Sequence, residues 1–180
     1  MLNSIAALYG TGAAPVAPTA YESIATVTVG SGGVSSVTFN SFSGYTHLQI
    51  RFIAQNSGGT YVPNLTFNGD TGTNYSYHRL GSYGSGVFAD AGTSQTSMQM
   101  GLIGSTSNVF SGGIIDILDY ANTNKYKTVK SLGGFDENGG GFVLITSGNW
   151  RSTSAVTSLT LTSSGFNFTQ YSSFALYGVK

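Results

Sequence analysis

Cysteine is absent from the 180-residue chain, which removes disulfides, thiolate metal sites and cysteine nucleophiles in one step. Charge is the next scarcity: Asp, Glu, Lys and Arg make up 8% of the residues, against roughly 25% in an ordinary globular domain. The seven acidic and seven basic side chains cancel. No basic stripe is therefore available to release counterions from phosphate, and nucleic acid is not an expected partner. No apolar run reaches the ~20 residues that a helix needs to cross a bilayer, so no membrane is expected either.

What the chain has in quantity is glycine, at 26 residues, with 11 Tyr and 11 Phe. Permissive turn residues between aromatic segments favour short strands over helices. The expected fold is all-β, a single β-sandwich or jelly roll of about ten or eleven strands. Ser, Thr, Asn and Gln must cover its surface in place of charge. A net charge of zero also weakens repulsion between copies, which suits an assembled subunit and leads us to expect a homo-oligomer.

Period-two alternation marks the strands. In YESIATVTV, residues Tyr21, Ser23, Ala25, Val27 and Val29 share one side. GSGG at 30–33 reads as a hairpin turn to a second strand with Val37 and Phe39 on one face. HLQIRFIA places Leu48, Ile50, Phe52 and Ala54 inward and His47, Gln49 and Arg51 outward. Further strands are expected at 65–68, 75–80, 97–103, 113–120, 126–132, 142–146, 156–162 and 174–179. GGIIDILDY fits a helical turn or a strand, and its β-branched Ile114, Ile115 and Ile117 after a glycine pair favour the strand.

No catalytic set assembles from these segments. Serines are many, but His47 and His78 lie on strands, and Gly84-Ser85-Gly86 lacks the spacing and strand-to-helix turn of a nucleophile elbow. The chain is read as non-enzymatic, without cofactor or metal. FNGDTG at 67–72 and FDENGGG at 135–141 lack the alternating carboxylates of a calcium loop and read as turns. Asp116 and Asp119 fall on opposite faces of a strand and make a poor acid/base pair. A glycan platform needs flat aromatic faces beside polar side chains. Tyr75, Tyr77 and Tyr83, with Trp150 between Asn149 and Arg151, are its candidates. Tyr75 and Tyr77 share a strand face, however, and such pairs commonly pack against a neighbouring strand.

The first twenty residues, MLNSIAALYGTGAAPVAPTA, differ from the rest. They lack the Lys or Arg that precedes a signal peptide's apolar stretch, so they read as a retained arm (1–20) ahead of the body (21–180). Leu2, Ile5 and Tyr9 follow helix-face spacing with Leu8 beside them, and these four are the expected anchor to a partner. Burying them would yield ~6–10 kcal/mol, less than the ~1–2 kcal/mol per residue lost on ordering the segment. Contacts from the body, or avidity across an array, must supply the remainder.

The phrases MLNSIAALYGTGAAP, YESIATVTVGSGGVSSVTFNSF, LTFNGDTGTNYSYHRL, GGFDENGGG and FALYGVK together resemble those of small virion structural proteins of tailed bacteriophages. The resemblance spans nearly the whole chain from Tyr21 onward. It implies a copy-rich particle component with a β-sandwich body, either a head decoration (cement) protein or part of a tail appendage. The implied partners are other virion proteins, the major capsid protein or tail components, after assembly in the bacterial cytoplasm. It carries no catalytic residues onto this sequence. The rival reading is a receptor-binding module of a tail fibre or spike that recognises host surface glycan.

Overall fold

The computed structural model describes residues 20–180. The anchor residues Leu2, Ile5, Leu8 and Tyr9 lie outside the described residues. The described chain contains strands and turns without a helix. Twelve strands form two antiparallel sheets in a sandwich-like arrangement. They are β1 (Tyr21–Thr28), β2 (Ser36–Asn40), β3 (His47–Ala54), β4 (Asn64–Phe67), β5 (Tyr75–Tyr83), β6 (Gly86–Gln95), β7 (Met98–Gln99), β8 (Ser111–Leu118), β9 (Lys127–Asp136), β10 (Gly141–Trp150), β11 (Ser158–Thr162) and β12 (Ser173–Val179). The larger sheet has the order β1-β12-β3-β8-β9-β10-β5-β6, and the smaller β2-β11-β4-β7.

The core forms where the inner face of the larger sheet meets the smaller one. Leu48, Ile50 and Phe52 of β3, Ile115 and Ile117 of β8, and Phe174 and Leu176 of β12 contribute from one side. Val37, Phe39, Leu65, Phe67, Leu159 and Leu161 contribute from the other. Alternation in the sequence dictates this, because side chains at i and i+2 of a strand share a face. Two inward glycines make room for their neighbours. A Cβ on Gly113 would lie 2.2 Å from the Phe52 ring, and one on Gly148 would lie 2.2 Å from the Met100 methyl.

Four expectations need correction. GSGG does not close a hairpin: β1 pairs with β12 and β2 with β11, so this segment carries the chain from one sheet to the other. Glycine supplies a turn, but it does not say which strands the turn unites. Within β1 the register slips between Ser23 and Ala25. That bulge resets the alternation, so Ile24 and Val27 both pack against the core. Gln49, expected outward and solvated, is buried. Finally, the 97–103 segment narrows to the two residues of β7, while β6 was not anticipated. GGIIDIL is a strand, β8.

Candidate functional site

The four aromatic residues of the expected glycan platform do not form one surface. Tyr75 and Trp150 are 0% and 2% exposed, stacked with ring centroids 6.3 Å apart. Phe67 meets the Trp150 ring edge-on at 5.5 Å. Tyr75 and Trp150 are register partners on β5 and β10, which is the cross-strand packing that a tyrosine pair on one face commonly signals. Tyr77 is also buried, its ring beneath the Arg79 guanidinium at 5.1 Å. Tyr83 alone of the four is exposed, stacked on Phe142 at 4.3 Å. The platform is thus corrected to a core cluster plus one surface tyrosine.

The FNGDTG turn holds that core cluster in place. Asn68 and Gly69 take positive φ of 53° and 66°, geometry that Asn and Gly adopt most readily. This delivers Asp70 beneath Trp150. The indole Nε1 donates to Asp70 Oδ2 at 2.7 Å, Asn74 Nδ2 to the same oxygen at 3.0 Å, and Gly72 N to Oδ1 at 2.8 Å. The Tyr75 hydroxyl donates to the Asp70 carbonyl at 3.0 Å, and burial pushes that phenol up to about 12. The indole donor, opposed by partial burial and reinforced by Asn74 and Gly72, holds the Asp70 carboxyl below its ordinary range. A carboxyl lowered in the folded state adds stability above its unfolded value, and that stability is lost as pH falls through the folded value. Asp70→Asn is therefore expected to flatten the loss of stability on acidification below about pH 4. Urea midpoints measured across the acid range check this.

The remaining chemical candidates are dispersed. His47 Nδ1 accepts a hydrogen bond from Asp119 N at 2.9 Å, and the Asp119 carboxylate is held by Lys125. Asp119 sits just past β8 with φ 47°, while Asp116 accepts from Gln49 Nε2 at 2.7 Å on the outer face. His78 is exposed on the same face. FDENGGG closes the β9–β10 hairpin, with Asn138 N donating to Asp136 Oδ1 at 2.8 Å.

The conspicuous surface is the outer face of the larger sheet. Register alignment places Ile114, Leu132, Ile145, Leu80 and Ala89 in one row across β8, β9, β10, β5 and β6. Leu132, Ile145 and Leu80 are 51%, 53% and 52% exposed. The next outward row runs Ile53, Gly112, Gly134, Val143, Ser82 and Val87. Its two glycines leave a shallow depression of about 420 Å³ beside the ridge of Ile114 and Leu132. The apolar side chains of both rows expose on the order of 600 Å² together, the upper end for a patch on a monomer and close to the ~800 Å² per partner of a standard interface.

A polar rim borders this surface at β3. The Arg51 guanidinium lies between the rings of Tyr21 and Tyr177, 5.1 and 4.9 Å from their centroids. Its Nε donates to Gln49 Oε1 at 2.6 Å, and Gln49 passes the chain of bonds on to Asp116. Cover by Arg51 and Tyr177 is why Gln49 is buried on a face that the smaller sheet does not touch. Asp116 is the register partner of Lys130, so the rim carries balanced charge. The run FVLI, and GIIDIL with its single Asp116, were the sequence signal for this face, since apolar residues on both sides of a strand mean that both sides are covered.

No protein-family model, curated protein or solved structure matches the chain. Fold and surface together define the class: an all-β, two-sheet protein with an apolar sheet face that no described strand covers.

Proposed function

We propose that the chain is a non-enzymatic structural protein of a tailed-phage virion, a capsid decoration or cement protein that docks through residues 1–20 and associates with copies of itself. The observation that carries this reading is the outer row Ile114–Leu132–Ile145–Leu80. An uncharged apolar surface of that breadth suits a subunit whose outer face is covered after assembly. Low charge and the absence of cysteine agree with close lateral packing and with folding in a reducing cytoplasm. The arm's anchoring energy, too small on its own, then has a second contact to add to.

Deletion of residues 1–20 is expected to leave a folded body that is missing from purified particles. Leu132→Asp, at a half-exposed position, is expected to keep its thermal midpoint within about 2 °C and to lower particle occupancy. Quantitative mass spectrometry of particles reads both. Full occupancy of the truncated chain would sink the arm-docking reading. Hundreds of copies per particle would indicate the head lattice, and about a dozen the tail.

The second reading, a tail-fibre or spike module that binds host glycan, draws on Tyr83 alone, the platform residue with a ring open to solvent. Loss of cell adsorption in Tyr83→Ala would favour it.

A further inference from the structure

The two edges of the larger sheet are built differently. The outer edge of β1 carries a bulge within the strand, between Ser23 and Ala25. Bulges and charges are devices by which natural edge strands refuse a further strand. On β6 the bulge lies toward one end, between Gly92 and Gln95, and leaves Gly86–Gly92 regular. That stretch pairs with β5 in unbroken register, from Tyr83↔Gly86 to Tyr77↔Gly92. It contains neither Pro nor Lys. Its one charge, Asp90, is taken up by Arg79 through Nε–Oδ1 at 2.7 Å and Nη2–Oδ2 at 2.5 Å. Among the described residues no strand pairs with its other edge.

We infer that β6 is the strand through which two copies of this chain join, pairing antiparallel about a two-fold axis at Ala89. The inference rests on the self-association proposed above and names its surface. A two-fold pairing of one strand with itself is isologous, so each copy satisfies the other's free backbone groups with the same residues. Ala89 is the midpoint of the regular stretch Gly86–Gly92, so an axis there gives the longest overlap. It sets Ala89 opposite the partner's Ala89, Val87 opposite the partner's Ala91, and Phe88 opposite the partner's Asp90. An axis at Asp90 would oppose like charges, which is unfavourable. The outer apolar row then continues from Ile145 and Leu80 through Ala89 into the same row of the second copy. Zero net charge leaves no long-range repulsion against the encounter.

The cysteine-free sequence permits a direct test in the full-length chain. Directly opposed strand residues have Cα atoms ~4.5–5.5 Å apart, within the ~4.4–6.8 Å that a disulfide bridges. Under mild oxidation Ala89→Cys is expected to form a covalent dimer. Val87→Cys and Ala91→Cys are each expected to remain uncrosslinked alone and to crosslink when mixed. Ala89→Lys, which sets an ammonium against its own copy, is expected to weaken the dimer about tenfold in sedimentation.

A wild-type chain that is monomeric at every concentration overturns the inference. So does crosslinking through Leu132→Cys but not Ala89→Cys, which would mean face-to-face stacking. Absence of the wild-type chain from particles, with the Ala89→Cys dimer intact, leaves the β6 inference standing and removes the virion reading.

Discussion

Replacing Trp150 with alanine is expected to lower stability by about 3–5 kcal/mol, a fall of roughly 10 °C in thermal midpoint for a chain of this size. Trp150 fills the space between Phe67 and Tyr75, and its indole N–H is the nearest donor to Asp70. Truncation therefore opens a large cavity and removes a charge-assisted hydrogen bond at once. Trp150→Phe separates these effects. It retains most of the buried ring and drops the donor, so a loss of about 1–2 kcal/mol is expected. Calorimetry or far-UV circular dichroism is the suitable readout, because Trp150 is the sole tryptophan and its own fluorescence disappears with it. A Trp150→Ala variant that melts with wild type would contradict the buried placement. Loss of adsorption to cells in this variant is accordingly a stability effect unless Tyr83→Ala shows it too.

Lys127→Met is expected to cost about 3 kcal/mol. Lys127 is fully buried at the start of β9. Its ammonium donates to three backbone carbonyls, those of Asn122 at 2.6 Å, Lys125 at 3.0 Å and Thr153 at 3.3 Å. It thereby joins the β8–β9 loop to the segment after β10. Methionine keeps the volume and removes all three donors, leaving carbonyls that water reaches poorly. Burial, with the like charge of Lys125 second, holds the ammonium below the ordinary lysine value of 10.5. A lysine lowered in the folded state makes the unfolded chain bind more protons between the folded value and 10.5, so wild-type stability rises with pH across that window. Lys127→Met is expected to lose this alkaline rise, and Lys127→Arg to recover part of the loop's anchoring. Denaturant midpoints from neutral to alkaline pH test both. A Met variant as stable as wild type would mean that the carbonyls find other donors.

Periodicity made single strands legible but said little about their partners. Leu48, Ile50, Phe52 and Ala54 all face the core as alternation requires. The β1–β2 hairpin failed because Gly30–Gly33 permits a reversal equally well within a sheet or between two sheets. β6 escaped notice because GVFADAGTSQ carries small residues on both sides, as an edge strand with little to pack against can. Tyr75 and Trp150 were misplaced by their polar neighbours, although Asn149 and Arg151 on the opposite side of the alternation already implied an inward Trp150. The outer row was present as apolar runs in β8 and β10, but only the register places Ile114, Leu132 and Ile145 side by side.

The position of β12 bears on how the molecule is made. This strand, the last of the twelve described, lies between β1 and β3 and pairs with both. Until residues 173–179 have left the ribosome, β1 has no strand to pair with among the described residues and β3 has only β8. Completion of the larger sheet therefore waits for β12 and is slow, in the ms–s range of folds dominated by distant pairings. Through that interval the apolar faces of β3 and β8 are open to collapse with other nascent chains. A chain stalled just short of Ser173 would be caught in that open state, and the first crowding the protein has to survive is on its own polysome.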